Sequence, residues 1–210
     1  MGQFPSKRGS GSPQGRCNDF CNRTQRTANA PYVYGLGRLH EGRRIMTATH
    51  DDALLRRVEQ FLFDQSDMLD SRRWQDWINL FTKDGVYWMP ADPAHESGDG
   101  VPSIFHEDLY MMRTRMKRLE HPRAWSQSPA PRCNHIVSNV RIDAGRSNGS
   151  GLVVTSKFHV VELRLENQRY FTGTYTHTLL PDGDGFRIKN QRVDLLNYDS
   201  PYDYVLQVWL

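Results

Sequence analysis

Eight histidines, three cysteines and 24 carboxylates are spread over 210 residues, so metal and acid–base chemistry are the first hypotheses to test. His106-Glu107 opens like the helix of a zinc peptidase. Tyr110 stands where that helix needs its second imidazole, so two ring nitrogens cannot share one face. No Cys-x-His is paired with a Cys-x-x-His to hold a Rieske cluster, and no His pair stands near a carboxylate at the helical spacing of a mononuclear iron site. Cys17-x-x-x-Cys21 has no further Cys or His at zinc spacing. Neither a G-x-S-x-G elbow nor a phosphate-cradling glycine loop is present, and Cys133 lacks an activating neighbour, which leaves it a small buried hydrophobe.

One constellation survives this filter. In a strand, His135 and Asn139 share a face with Val137 and Arg141, while Ile136, Ser138, Val140 and Ile142 share the other. Asp84 stands at the entrance to the preceding strand. Inside a curled sheet, Asp84 and His135 would serve as an acid–base pair. The competing reading is that His135 and Asn139 hydrogen-bond loop backbone or a partner chain. Trp125 sits in a loop with Arg123, Ser126 and Gln127 between prolines, where its ring either anchors an interface or covers the chain's own core.

The elements that position these residues follow from periodicity. Leu54, Leu55, Val58, Phe61, Leu62, Met68 and Leu69 form a helical stripe over 51–71, with Thr49 and Asp52 spaced like a cap. Trp74, Trp77, Ile78 and Phe81 predict a short second helix. Lys83-Asp84-Gly85 predicts a turn into a strand over 86–90, closed by Pro90 and followed by a loop over 91–100. Ser103 is the expected cap of a third helix with Phe105, Leu109, Met112, Met116 and Leu119 on one face, and Glu107 and Asp108 near its positive end. Strands follow over 135–142, 151–165, 170–180 and 186–196, the last two joined by Pro181-Asp182-Gly183-Asp184-Gly185. Helices first and antiparallel strands afterwards predict an α+β architecture with helices packed on one curved sheet.

The formal charge of +3 divides unevenly. Residues 1–50 carry eight basic and two acidic residues, a net +6, while the remainder carries nineteen and twenty-two, a net −3. The basic excess, the usual argument for nucleic acid, therefore belongs to the first segment, which lacks a sustained apolar period. Residues 1–46 are expected to be a disordered basic tail and 47–210 a single domain. Met46, just before the ordered pattern, is a candidate natural start, which would make 1–45 an upstream extension. No run of about 20 apolar residues and no apolar signal core exists, so neither a membrane nor a nucleic-acid partner is expected and the expected location is cytoplasmic.

Several segments taken in order resemble a known family. They are Trp74-x-x-Trp77-x-x-Leu80-Phe81-x-x-Asp84-Gly85-x-Tyr87-Trp88-Met89-Pro90, Phe105-x-Glu107-Asp108, His121-Pro122-Arg123-Ala124-Trp125-Ser126-Gln127, His135-x-Val137-Ser138-Asn139-Val140 and Arg192-Val193-Asp194-Leu195-Leu196. From about residue 52 onward the chain resembles the β, or small, subunit of aromatic-ring-hydroxylating dioxygenases.

The resemblance implies a cone-shaped fold like nuclear transport factor 2 and scytalone dehydratase, with helices wrapped on a strongly curved mixed sheet. It implies an α3β3 oligomer with a β trimer. In such an assembly the α subunit holds a Rieske [2Fe–2S] cluster and mononuclear Fe(II), and uses dioxygen with NAD(P)H electrons, passed by a reductase and ferredoxin, to cis-dihydroxylate an aromatic ring. The β subunit is mainly structural and holds no cofactor. Trp74, Trp77, Phe81 and Trp88 would fasten helices to the sheet, and Glu107, Arg123, Trp125, Gln127, His135 and Asn139 would make or shape subunit contacts. The alternatives are a stand-alone dehydratase or isomerase of the same cone fold using Asp84 and His135, and a ligand-binding or scaffolding module without turnover.

Overall fold

A computed structural model describes residues 52–149, 151–201 and 205–210. The expected tail over 1–46, the candidate start at Met46 and the cap residue Thr49 lie outside the described residues. Among those described, the chain order is α1 (Asp52–Asp70), α2 (Trp74–Asn79), β1 (Phe81–Pro90), β2 (Ser103–Asp108), α3 (Leu109–Leu119), a short 3-10 turn (Trp125–Gln127), β3 (Arg132–Ile142), β4 (Leu152–Arg164), β5 (Asn167–Asp182) and β6 (Gly185–Leu195).

The six strands form one mixed sheet in the order β2-β1-β6-β5-β4-β3. Strands β3 to β6 make an antiparallel meander, while β1 runs parallel to β6 and antiparallel to β2. The α+β class expected from the sequence is therefore observed, with the helices set against a curved sheet. Residues Val58, Leu62, Gln65, Ser66 and Leu69 of α1 are buried, at the three-to-four spacing that makes one helical face. That helix ends in a left-handed residue: Arg72 has φ 57°, Arg72 N donates to Leu69 O and Arg73 N donates to Met68 O, the paired bonds of a Schellman cap. Trp77 fastens α2 to β1 as expected, its ring 5.1 Å from Phe81 and 5.6 Å from Tyr87 in edge contacts. Gly173 lets β5 and β6 close on each other, since a Cβ there would lie 2.0 Å from the Asp194 carbonyl oxygen.

Four local expectations are corrected. Ser103 does not cap a helix: Ser103–Asp108 is strand β2 paired with β1, and Asp108 caps α3 by accepting from Met111 N at 2.8 Å. Phe105 and Leu109 sit four apart by accident of a strand meeting a helix, and sheet pairing overrides the apparent stripe. Lys83-Asp84-Gly85 is not a free turn but part of an irregularity in β1, where Phe81 pairs with Ile188 and Val86 already with Asn190. Trp88 does not fasten a helix. It is buried on the other side of the sheet, with Nε1 donating to Ser103 Oγ at 2.9 Å and the Arg192 guanidinium 4.5 Å over its ring. Asn139 does not share a face with His135, because a bulge between Ser138 and Arg141, with Asn139 at φ 52°, reverses the alternation beyond it.

Candidate functional site

The inner side of the sheet closes on a segment that carried no signal in the sequence. Leu206, Val208, Trp209 and Leu210 are buried, and the Trp209 ring lies 5.0 Å from Trp77 and 6.0 Å from Trp74. Three strands hold this segment. Tyr87 Oη on β1 accepts from Leu210 N and donates to Leu210 O, both at 3.1 Å. Burial pushes the Tyr87 phenol well above its ordinary range, so it stays neutral and can play both roles. Glu107 on β2 accepts from Trp209 Nε1 at 3.0 Å, and His135 Nε2 on β3 meets Trp209 O at 3.3 Å.

Glu107 and His135 are thus neighbours through Trp209 rather than surface groups. The other oxygen of Glu107 receives Arg115 Nε at 2.7 Å and Nη2 at 2.5 Å, and that guanidinium lies 4.0 Å over the Phe105 ring. His135 is clamped from the opposite side by Asp70, whose oxygens accept from His135 N at 2.9 Å and meet Nδ1 at 2.6 Å. Asp70 closes α1, so this clamp ties the helix to β3. The space beside His135 is about 10 Å³, enough for one water and no substrate.

Asp84 is not brought to His135. Its carboxylate is exposed in the β1 irregularity, accepts from Thr82 Oγ1 at 2.7 Å and lies 3.8 Å from Lys189 Nζ. The Thr82 hydroxyl, a backbone amide and Lys189 hold the Asp84 carboxyl below the usual range, the opposite of what a general acid needs. The acid–base pair expected from these two residues does not assemble.

The inner face carries a polar group that sequence reasoning missed. His177 on β5 and its register partner Gln191 on β6 are fully buried, and Gln191 Oε1 accepts from Gln65 Nε2 of α1 at 2.7 Å. Burial pushes the His177 imidazole down to about 4, against a smaller opposing effect of Gln191. The available signal was a histidine on the apolar side of the Thr172, Thr174, Thr176 and Thr178 alternation. Cys133 is half-buried and its thiol is pushed up to about 12, mainly by burial, so it is no nucleophile at neutral pH.

Arg123, Trp125 and Gln127 come together elsewhere. Arg123 and Trp125, with the end of α3 and residues 205–207, line an open groove of about 860 Å³; Gln127 lines a second depression of about 250 Å³ across the ridge Val205–Gln207. The Trp125 ring is 81% exposed, so it does not cover the chain's own core. Asn139 is also exposed, away from this grouping in the β3 bulge.

Among the described residues, no three His, Cys, Asp or Glu side chains converge on a position that could hold a metal ion. His135 is committed to Asp70 and Trp209, and Glu107 to Arg115 and Trp209. Neither a Rieske cluster nor mononuclear iron fits them. No described helix is long and apolar enough to cross a membrane.

Residues 65–199 match the family described as ring hydroxylating beta subunit. The chain belongs to that family. Among the β subunit's relatives, the biphenyl 2,3-dioxygenase subunit beta of Rhodococcus jostii (strain RHA1) is 35% identical over 133 residues, covering 60% of this chain and 71% of the relative. The chlorobenzene dioxygenase subunit beta of Cupriavidus sp. (strain PS12) is 34% identical over 147 residues, covering 65% and 78%. In fold, the β subunit superposes on the benzoate 1,2-dioxygenase β subunit of Burkholderia mallei ATCC 23344 with a TM-score of 0.56 at 23% identity, covering 71% of this chain and 95% of that one. A β subunit implies an α partner, and the side chains this one turns outward are the places to look for it.

Proposed function

We propose that this β subunit serves a dioxygenase that cis-dihydroxylates an aromatic ring, and that it works by holding its α partner in place rather than by reacting. The single observation that carries this reading is the commitment of the inner groups. His135 is engaged at both ring nitrogens, Glu107 at both oxygens, and the space beside His135 is about 10 Å³. A substrate has no room beside His135, and neither His135 nor Glu107 is left free to act as acid or base.

In this proposal the α subunit carries the Rieske [2Fe–2S] cluster and the mononuclear Fe(II). A reductase and a ferredoxin deliver NAD(P)H electrons to it in the cytoplasm, and the assembly is α3β3 around a β trimer. The α subunit selects the ring. Arg123, Trp125 and Gln127 make subunit contacts, Glu107 and His135 shape the segment beside those contacts, and Asn139 makes a separate contact from the β3 bulge.

Co-expression with the large subunit encoded in the same genome tests the reading. The expected result is a complex containing both chains, with iron and ring hydroxylation found only when the large subunit is present. Turnover of a hydroxylated aromatic by the isolated chain, lost in Asp84→Asn, would replace this reading with the dehydratase.

A further inference from the structure

Among the described residues, the two depressions beside the ridge Val205–Gln207 offer hydrogen-bond donors and no free acid. Lys117, Arg118 and Arg123 line the larger groove, and none has a carboxylate partner within 4.0 Å among the described residues. The groove's fourth strong cation, Arg115, is already neutralised by Glu107. Its floor is apolar, made by the buried side chains of Phe105, Leu119 and Leu206. In the smaller depression, Gln127 Nε2 and Arg164 Nε are buried N–H groups with no acceptor among the described residues, while the acid there, Glu162, lies 4.0 Å from Arg169.

Local structure explains only part of this. Lys117 and Arg118 lie in the last turn of α3, where the helix dipole favours cations in any protein. Arg123 lies beyond the helix, and the Trp125 ring beside it is left in water at a cost that folding alone does not repay. The body from residue 51 onward carries a net −3, so the cationic groove is a local feature and not part of a general basic surface.

We propose that this surface docks an acidic segment of the large subunit, with carboxylates answering the unpaired cations and an apolar side chain between them seated on the Phe105 and Leu206 floor. The proposal rests on the reading of this chain as a dioxygenase β subunit. The occupant must bring acceptors, because among the described residues Lys117, Arg118 and Arg123 of the larger groove have no carboxylate partner and the Gln127 Nε2 and Arg164 Nε groups lining the smaller one have no acceptor. It must also be longer than a single ring, because the two depressions lie on opposite sides of a ridge and the Trp125 indole stands open rather than folded over a pocket. An extended acidic stretch with one apolar anchor meets both requirements, and Trp125 with Arg123 are residue types that carry interface energy.

The test measures affinity of the full-length chain for the co-encoded large subunit at low and high salt. Wild type should weaken at least about tenfold between about 50 and about 500 mM NaCl, because exposed charge pairs are screened. The triple variant Lys117→Glu, Arg118→Glu, Arg123→Glu should bind about a hundredfold more weakly at low salt and lose most of the salt dependence. Trp125→Ala should bind at least about tenfold more weakly at both salt concentrations. A folded triple variant that binds within about twofold of wild type overturns the groove assignment and leaves the subunit role standing. A wild-type chain that does not bind the large subunit at all removes both. Benzoate is the probe for a small-ligand site: Trp125 fluorescence saturating below about 1 mM benzoate, with large-subunit binding undisturbed, also overturns the docking proposal.

Discussion

The two ends of the segment Val205–Leu210 face opposite fates. At Trp209 and Leu210, Glu107, His135 and Tyr87 leave no hydrogen-bonding group of theirs unanswered and about 10 Å³ of free space. At Val205 to Gln207, two to five residues away, cations stand without acids among the described residues, an indole stands in water and the groove holds about 860 Å³. The same two elements, β2 running into α3, supply both ends: Glu107 and Phe105 turn inward while Lys117 and Arg118 turn outward. The contrast separates side chains that complete the fold from side chains that remain to be completed by something else, and it does so within one short stretch of chain.

The contrast is broken most severely at the inner end. Trp209→Ala should cost about 4 kcal/mol in chemical unfolding, since a large ring packed on two other tryptophans leaves a cavity that the strands cannot fill. Glu107→Gln should cost about 3 kcal/mol in the same measurement, because it leaves the Arg115 guanidinium without its counter-charge; Arg115→Met alongside it should recover part of the loss.

Acid is the next lever. His177 is folded in its neutral form with its pKa at about 4, below the ordinary 6.5 of an unfolded histidine. Between those values the unfolded chain binds a proton that the folded chain refuses, so stability falls as pH drops through that window. Taking the pH from 7 to 5 should remove about 2 kcal/mol of unfolding free energy through this group, and His177→Gln should flatten that part of the pH dependence. At the outer end the expected change is the smallest: Trp125→Ala should move unfolding free energy by less than about 0.5 kcal/mol, even though it weakens the partner complex. A larger loss of stability would mean that the outer end also serves the fold.

What the sequence disclosed follows the range of the forces involved. Helix α1 and the β3–β6 meander were legible because each is written in a local period, three to four residues in one and two in the other. Strand β2 was not, since six residues beside a helix start imitate one helical turn and only pairing with β1 shows otherwise. Asn139 was read on the wrong face because one extra residue in a strand reverses every later side chain, and no pattern announces it. Glu107 and His135 were legible as residues with a task, but their partner was not, for Trp209 lies 102 and 74 positions further along the chain. Arg123, Trp125 and Gln127 were found through residue type and the prolines around them, and the structure gathers them around the ridge Val205–Gln207.

The late position of that closing segment bears on how the chain is made. Tyr87 waits for a partner 123 residues downstream, so the hydrophobic interior cannot seal while the ribosome is still translating the meander. The ridge between the two depressions comes from the same segment. A nascent chain that has not yet supplied Val205–Leu210 therefore lacks the segment that closes its core.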